Sequence, residues 1–200
     1  MRLSWSKKII AVVCLMCATL GYAQPADTVR VCAYNVLNFG GSSSADSVRS
    51  LLFRKTMQAI DADVFVLGEI TAAPALPRIH NQALNVFGIT DWEYAPFIDG
   101  YDTDAGLFYR SSRLQFLEQD TLCTELRNIN IYKLRPVGHD STSNFYLFMM
   151  HLKASSGSTN AAQRAREATI VRNYANALPA NSYFVYCGDM NLYTSSEAAY

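Results

Sequence analysis

Residues 183–191 read Tyr-Phe-Val-Tyr-Cys-Gly-Asp-Met-Asn, an apolar run that ends abruptly in polar residues. Short runs rich in aromatic and β-branched residues are typical of buried strands. Gly188 allows a tight turn at the strand end, which places Asp189 and Asn191 at the mouth of a sheet. Alternate residues of an extended chain point to one side, so this carboxylate and amide could together hold a water molecule or a metal-bound phosphate. Ordinary turns after strands also use such residues, and for this motif alone that alternative stays open.

Polar residues end three other predicted strands. These strands lie at residues 29–36, 64–67 and 145–150. Asn35, Glu69 and His151 stand at or just after their ends. Each residue also has an ordinary explanation, as a turn residue, a loop cap and a half-buried histidine with satisfied hydrogen bonds. Because the pattern repeats after apolar strands, we expect a shared site.

One segment with helical spacing of apolar residues lies between the strands at 29–36 and 64–67, and another lies between the strand at 145–150 and the run at 183–191. Strand–helix–strand units favour parallel strands, and ligand sites in such sheets lie at the carboxyl ends of strands. The apolar stripe of the first helix is Val48, Leu51, Leu52 and Ile60. The second helix, predicted over residues 159–178, has the stripe Ala161, Ala165, Ala168, Val171, Ala175 and Leu178. Its charged residues, expected on a solvated or rim face, are Arg164, Arg166 and Glu167.

In the middle of the chain the apolar residues follow a different spacing. Residues 92–146 contain short aromatic-rich runs separated by Gly, Asp and Ser, which is typical of an antiparallel meander. A weaker helix is predicted before it, over residues 78–87. Together with the strand–helix–strand units at both ends, this pattern predicts an α/β fold of the mixed sandwich type.

The first 23 residues have the features of a secretory signal peptide. Three basic residues precede a twelve-residue apolar run, and small residues follow before Gln24. The apolar run is shorter than the roughly 20 residues that a membrane-spanning helix needs; an uncleaved anchor is the alternative. We therefore predict a secreted or periplasmic protein, a domain over residues 24–200, and no stable membrane insertion after cleavage. The sequence gives no prediction of oligomeric state.

Removal of this segment changes the charge and cysteine counts. The whole chain has 17 basic and 17 acidic residues. Loss of the three basic residues leaves 14 against 17, a net charge of −3, which does not by itself indicate nucleic-acid binding. Cys32, Cys123 and Cys187 remain, and an odd number leaves at least one thiol unpaired. We interpret them as small core residues, with Cys32 and Cys187 as the pair to test for a disulfide.

The residue types at the strand ends suit phosphoester cleavage. Hard oxygen ligands select Mg²⁺ or Ca²⁺ over zinc, and the chain has only three histidines. A metal with few protein ligands keeps its waters and binds a substrate phosphate directly. A nearby histidine can donate a hydrogen bond to developing charge, and an aspartate can orient or deprotonate the attacking water.

Five motifs, in this order and over nearly the whole chain after residue 23, resemble the endonuclease/exonuclease/phosphatase superfamily, whose fold is that of pancreatic deoxyribonuclease. The motifs begin at Ala33 (Ala-Tyr-Asn-Val-Leu-Asn), Leu67 (Leu-Gly-Glu-Ile), Ala105 (Ala-Gly-Leu-Phe-Tyr), His151 (His-Leu-Lys) and Gly188 (Gly-Asp-Met-Asn). The resemblance implies a four-layer α/β sandwich of two mixed sheets flanked by helices. It also implies a Mg²⁺ cofactor, with Mn²⁺ or Ca²⁺ as alternatives.

The resemblance assigns a role to each site residue. Glu69 is implied as the principal metal ligand, and Asn35 as a second residue that holds the metal–phosphate centre. His151 would contact the scissile phosphate. Asp189 would align or activate the water, and Asn191 would support phosphate and water.

The chain departs from the family pattern at its end. Family members carry a final strand with an Asp-His pair of the catalytic centre, whereas this chain stops at Tyr200 without one. We therefore expect an N-terminal part of a longer protein, with its final strands missing and with no activity of its own.

Three functions follow from these observations. The first is a secreted metal-dependent phosphodiesterase, most simply an endonuclease with nucleic acid as substrate. The second is a phosphatase or phospholipase of the same superfamily, acting on inositol phosphates or phosphorylated lipids. The third is a non-catalytic secreted binding module, against which the retained Glu69, His151 and Asp189 argue.

Overall fold

Eight strands and three α-helices make up residues 28–200, the part of the chain that the computed structural model describes. The predicted signal peptide lies outside the described residues. In chain order the elements are β1 (Val31–Phe39), α1 (Ser44–Ile60), β2 (Val64–Ile70), α2 (Ala75–Ile79), a π-helical turn (His80–Leu84), β3 (Trp92–Tyr94), β4 (Asp104–Arg110), β5 (Leu114–Leu122), β6 (Ile129–Pro136), a 3₁₀ turn (Ser141–Ser143), β7 (Phe145–His151), α3 (Ser158–Asn176) and β8 (Tyr183–Asp189).

The strands form two mixed sheets of four strands each. The first sheet has the order β1-β2-β4-β3 and the second the order β5-β6-β7-β8. Each sheet contains one parallel pair, β1 with β2 and β7 with β8, and its other pairs are antiparallel. Both parallel pairs arise from the predicted strand–helix–strand units, so the prediction of two mixed sheets is confirmed.

Three apolar clusters separate four layers. Strand alternation in β2 directs Val64 and Val66 into the cluster between the sheets, while Phe65 and Leu67 join the cluster under α1 and α2. In β7, Leu147 and Met149 likewise face the other sheet, whereas Phe148 and Met150 pack under α3. The predicted order helix, sheet, sheet, helix is therefore confirmed.

The predicted meander is divided between the two sheets. β3 and β4 belong to the first sheet, and β5, β6 and β7 belong to the second. The chain passes from one sheet to the other in the turn between Arg110 and Leu114. The weaker helix predicted over residues 78–87 is instead a short α-helix followed by a π-helical turn over Ala75–Leu84, and Phe87 is exposed at positive φ.

The prediction that the apolar stripe of α1 is its buried face was wrong. Its four members are exposed by 40–61%, and the buried residues of the helix are Asp46, Ser50, Phe53 and Met57. The buried face is the one on which Phe53 and Met57 join the apolar cluster under the helix. At the start of the same face Asp46 closes a capping box with Ser43 and also accepts from Gly41 N at 3.0 Å, so the predicted stripe faces solvent.

The prediction that the charged residues of α3 lie on a solvated or rim face was also wrong in part. Arg164 and Glu167 are buried, with exposed fractions of 0% and 2%, whereas Arg166 on the same helix is exposed. Buried charges are tolerated where they are paired and hydrogen-bonded, and both residues have such partners, described below. The stripe residues Val171 and Ala175 are buried as predicted.

Two further predictions concern the thiols and membrane insertion. Within residues 28–200 all three cysteines are free, so Cys32 and Cys187 are not bonded to each other. Burial raises the pKa of Cys187 to about 12, consistent with a small core residue, whereas Cys123 is exposed, so the interpretation as a core residue was wrong for Cys123. In this same range no helix has the length and apolar character needed to cross a bilayer.

Candidate active site

The carboxyl ends of both parallel pairs meet at one edge of the molecule. This happens because β8 lies against β1 and β2, and β7 against β2. All five predicted site residues stand there. A cavity of about 220 Å³ at this edge is lined by Ala33, Tyr34, Asn35, Gly68, Met149, His151, Gly188 and Asp189. A larger cavity of about 530 Å³ at the opposite ends of β7 and β8 contains none of the predicted site residues.

Asn35 connects the two sheets. Its Nδ2 donates to Glu69 Oε1 at 2.7 Å within its own sheet and to Asp189 Oδ2 of the other sheet at 3.4 Å. Its Oδ1 accepts from Leu37 N at 2.8 Å, which fixes the orientation of the amide. One amide group therefore holds two carboxylates from different sheets near one point.

Glu69 is held in an unusual backbone conformation. Its φ is +61°, and Leu37 and Asn38 opposite it have φ of +50° and +52°. Such conformations are costly for residues other than glycine and cluster at functional sites. The register between β1 and β2 is interrupted here, and Asn38 N donates to Glu69 Oε2 at 3.1 Å. Both carboxylate oxygens are thus oriented by neighbouring groups.

His151 faces the same cavity with little access to solvent. Its side chain is 10% exposed, and its Nε2 lies 4.0 Å from Glu69 Oε1. Burial, together with the positive charge of Arg127, lowers the pKa of His151 below its usual range, against the opposing effect of Asp189, Glu69 and Asp102. Its Nδ1 is buried and has no hydrogen-bond partner within residues 28–200. A mainly neutral imidazole at neutral pH follows from this environment.

The segment after β8 is fastened to the segment after β7. Leu152 N donates to Asp189 O at 3.0 Å, and Asn191 Nδ2 donates to Leu152 O at 3.0 Å. Asn191 N donates to Asp189 Oδ1 at 3.1 Å. The side-chain amide of Asn191 therefore supports the loop, while its neighbour Asp189 keeps its carboxylate in the cavity.

Gly188 is required by the close approach of the two strands. Its φ is +120°, and a Cβ at this position would lie 2.1 Å from Met150 O of β7. No side chain fits there without displacement of the backbone. The glycine thus allows β8 to place Asp189 beside His151.

Sequence reasoning missed Arg127 and Asp102. Arg127 Nε lies 2.9 Å from Asp102 Oδ2, and its buried Nη1 has no hydrogen-bond partner in the described part of the chain. The pair is close enough to His151 to affect its pKa. Asp102 lies among the Gly, Asp and Ser residues that separate the predicted strands of residues 92–146, and Arg127 belongs to no motif, so the sequence offered no signal for either.

The site suits a hard divalent cation. Glu69 and Asp189 provide carboxylate oxygens that converge on Asn35, which is the type of donor that Mg²⁺ prefers. No group of three or more His, Cys, Asp or Glu residues that could enclose a metal occurs among residues 28–200. A Mg²⁺ ion with one or two carboxylate ligands and several waters fits this arrangement, with Glu69 and Asn35 as the residues that would hold it.

The fold is an α/β sandwich of two packed mixed sheets, with the polar site residues at the carboxyl ends of its parallel strands. The chain belongs to the endonuclease/exonuclease/phosphatase family, whose model matches residues 32–198. No protein of curated function matches the sequence.

Solved structures with this fold include two of D. rerio TDP2. The humanized form is 20% identical with a TM-score of 0.65, and the match covers 86% of this chain and 65% of that one. The complex with a single-strand DNA product is 23% identical with a TM-score of 0.61, covering 84% and 62%. The human Nocturnin catalytic domain with bound sulfate is 18% identical, with a TM-score of 0.58 and coverage of 86% and 67%. The chain thus spans less than two thirds of the two TDP2 structures.

Proposed function

We propose that the protein is a secreted, divalent-metal-dependent phosphodiesterase that hydrolyses nucleic acid. The observation that supports this most directly is the Asn35 side chain, which joins Glu69 of one sheet to Asp189 of the other at a cavity lined by Asn35, His151 and Asp189. Four strands must end at one point for this contact to form. A packing role alone does not require two carboxylates and a buried imidazole at that point.

Each residue has a defined part in the proposed reaction. Asp189 orients the attacking water and accepts its proton. His151, neutral at the reaction pH because of burial and Arg127, donates a hydrogen bond to a phosphate oxygen as negative charge develops there. A divalent cation held by Glu69 and Asn35 would withdraw charge from the same phosphate.

Two observations favour nucleic acid as the substrate. A related fold, D. rerio TDP2, has been solved with a single-strand DNA product. In this chain, the buried Nη1 of Arg127 has no hydrogen-bond partner within residues 28–200, and the charge of Arg127 lowers the pKa of His151; a guanidinium group suits a phosphate. The net charge of −3 after signal removal argues against a broad basic surface and favours recognition close to the cleaved bond.

The decisive experiment is a substrate panel with metal control. The natural full-length protein is incubated with single- and double-stranded DNA, RNA, an inositol phosphate and phospholipid vesicles, with Mg²⁺ or with a chelator. We expect cleavage of a nucleic acid that requires metal and that, at limiting Mg²⁺, is strongly reduced in Glu69→Gln but not in Glu93→Gln, which alters an exposed glutamate of β3. Hydrolysis of the inositol phosphate or lipid alone would replace the nuclease proposal, and no hydrolysis at all would favour a binding module.

Secretion and the inactivity of the isolated chain are separate proposals. Cleavage before Gln24 predicts an extracellular or periplasmic product that begins at this residue, which mass spectrometry of the exported protein would test. Retention of the first 23 residues would contradict it. Assay of residues 24–200 alone beside the natural full-length protein tests the predicted inactivity.

A further inference from the structure

Arg164 of α3 is a fully buried cation with unusually complete pairing. Its Nε and Nη2 donate to the two carboxylate oxygens of Glu197 at 2.7 and 2.9 Å. Its Nη1 donates to Lys153 O at 2.8 Å and to Ser155 O at 2.9 Å. Such a two-pronged bond to a carboxylate is among the strongest that a side chain forms, and its geometry is specific to arginine.

These contacts join the two loops that follow the catalytic strands. Lys153 and Ser155 belong to the loop that starts directly after His151. Glu197 belongs to the segment after Asn191 and is oriented by Tyr193 N, which donates to its Oε1 at 3.1 Å. One side chain of a helix therefore binds both loops at once, on the side away from the cavity.

A second residue of α3 strengthens the first of these contacts. Glu167 Oε2 accepts from Lys153 N at 2.9 Å, so both main-chain groups of Lys153 are held by the helix. Both main-chain groups of Leu152 are held by the end of β8, through Asp189 and Asn191. The backbone after His151 consequently has no free polar group over these two residues.

We propose that Arg164, paired with Glu197, is a positioning residue that sets the relative placement of His151 and Asp189. This inference rests on the proposed function for its catalytic consequence. His151 and Asp189 lie opposite each other at the last pair of the β7–β8 register, and the two segments that Arg164 joins begin directly after them. Displacement by about 1 Å in an active site can reduce the rate about 100-fold, so a small shift of either loop would be visible in turnover.

The chain offers a matched control on the same helix. Arg166 forms an equally two-pronged pair with Glu125, but both side chains are at least half exposed and neither contacts the catalytic loops. Arg164→Gln should therefore lower kcat at least about tenfold with little change in KM, whereas Arg166→Gln should leave both unchanged. Arg164→Lys should not restore kcat, because an ammonium group does not reproduce the planar fork. Glu197→Gln keeps a hydrogen-bonding partner and serves as the milder variant if Arg164→Gln does not fold.

Hydrogen–deuterium exchange separates this inference from the proposed function. Under conditions where all variants are folded, exchange should rise in residues 152–155 and 191–197 for Arg164→Gln and Glu197→Gln, and not for Arg166→Gln. This readout requires no substrate, so it decides the positioning role even if the protein is not a nuclease. Unchanged exchange in both loops, or a loss of thermal stability with normal kcat in folded protein, would overturn the proposal.

Discussion

The unit β1–α1–β2 and the unit β7–α3–β8 both hold the backbone near the site with an arginine of their helix, but the two arginines have different partners. Each brings two parallel strand ends to the site, and an arginine of its helix binds backbone carbonyl groups, in the irregular end of β1 for the first unit and in the loop after β7 for the second. In the first unit, Arg49 donates to Val36 O and to Leu37 O, the latter at 2.8 Å. In the second unit, Arg164 donates to Lys153 O and Ser155 O.

The two arginines differ in how they are balanced. Arg49 pairs with Asp46 three residues away on the same helix, and its side chain is 28% exposed. Arg164 is 0% exposed and pairs with Glu197, 33 residues away in another loop. The first arrangement is local, so it holds only the end of β1, whereas the second also connects a distant segment to the site.

This difference matches the functions assigned to the two units. The first unit supplies Glu69 and Asn35, which would hold a cation whose water ligands tolerate small shifts. The second supplies His151 and Asp189, which in the proposed reaction would contact a phosphate and a water at fixed positions. The second unit, whose residues set the geometry of the reacting atoms, is therefore the unit that is held more tightly.

The strongest test of this division is removal of the chemical groups of the second unit. We expect His151→Ala and Asp189→Asn each to lower kcat by about 10²- to 10³-fold or more, with a modest change in KM, because both would act on the transition state. Steady-state kinetics on the substrate found by the panel provides the measurement. Loss of affinity with kcat preserved would assign both residues to binding and would erase the distinction between the units.

The corresponding change in the first unit should affect metal dependence. Glu69→Gln preserves the size of the side chain, and its amide can keep hydrogen bonds, so the fold should persist. We expect the Mg²⁺ concentration for half-maximal activity to rise at least about tenfold, since loss even of groups that support metal ligands costs about 10–100-fold in affinity. Titration of activity with Mg²⁺, with circular dichroism as the folding control, tests this. Wild-type activity at limiting metal would contradict the assignment.

The sequence predicted the sheets more accurately than the helices, for a physical reason. The alternation in β2 and β7 reports burial directly, because the two faces of a strand meet two different apolar layers. In α1 and α3 much of the buried surface is polar and paired, as with Asp46 and Arg164. A pattern of apolar residues does not reveal pairing with a distant carboxylate or carbonyl.

The same limit applies to the site. Asn35, Glu69 and Asp189 could be proposed because each follows its own strand, and the parallel topology brings those strand ends together. Arg127 and Glu197 act through partners that their local sequence does not specify. Their contribution depends on the packed structure and was therefore not predictable from the motifs.

The contacts of Arg49 in the first unit should stabilise the protein less than the contacts of Arg164 in the second. We expect Arg49→Gln to lower the melting temperature by about 2–6 °C, which corresponds to loss of about 1–2 kcal/mol in a domain of this size. Arg164→Gln should lower it further, because it leaves a carboxylate and two carbonyl groups without their cation. Differential scanning calorimetry of both variants measures the contrast. Equal losses would show that exposure and distance of the partner do not distinguish the two units.

The smallest expected effect is the pH dependence of the stability that the pairs Arg164–Glu197 and Arg49–Asp46 contribute. The Arg164 hydrogen bonds lower the pKa of Glu197. Burial raises the pKa of Asp46, but hydrogen bonds from Ser43 and the charge of Arg49 outweigh it, so the net pKa is also lowered. An acid whose pKa is lower in the folded state binds fewer protons there than in the unfolded chain. Its contribution to stability is therefore present above its unfolded pKa of about 4 and is lost as the pH falls through the folded value.

Two neutral variants, Asp46→Asn and Glu197→Gln, isolate these contributions. Each should unfold at a lower temperature than the wild type near neutral pH, and the difference should shrink below about pH 4, where the wild-type carboxyl group is also protonated. Thermal unfolding of the three proteins between about pH 7 and pH 3 gives both differences. Because Glu197 also fastens the segment after Asn191 to α3, acid should raise amide exchange in residues 191–197 before the rest of the protein unfolds. A difference that stays constant over the whole range would show that the side chains stabilise the fold through packing, and that ionisation of these two acids contributes nothing to either pair.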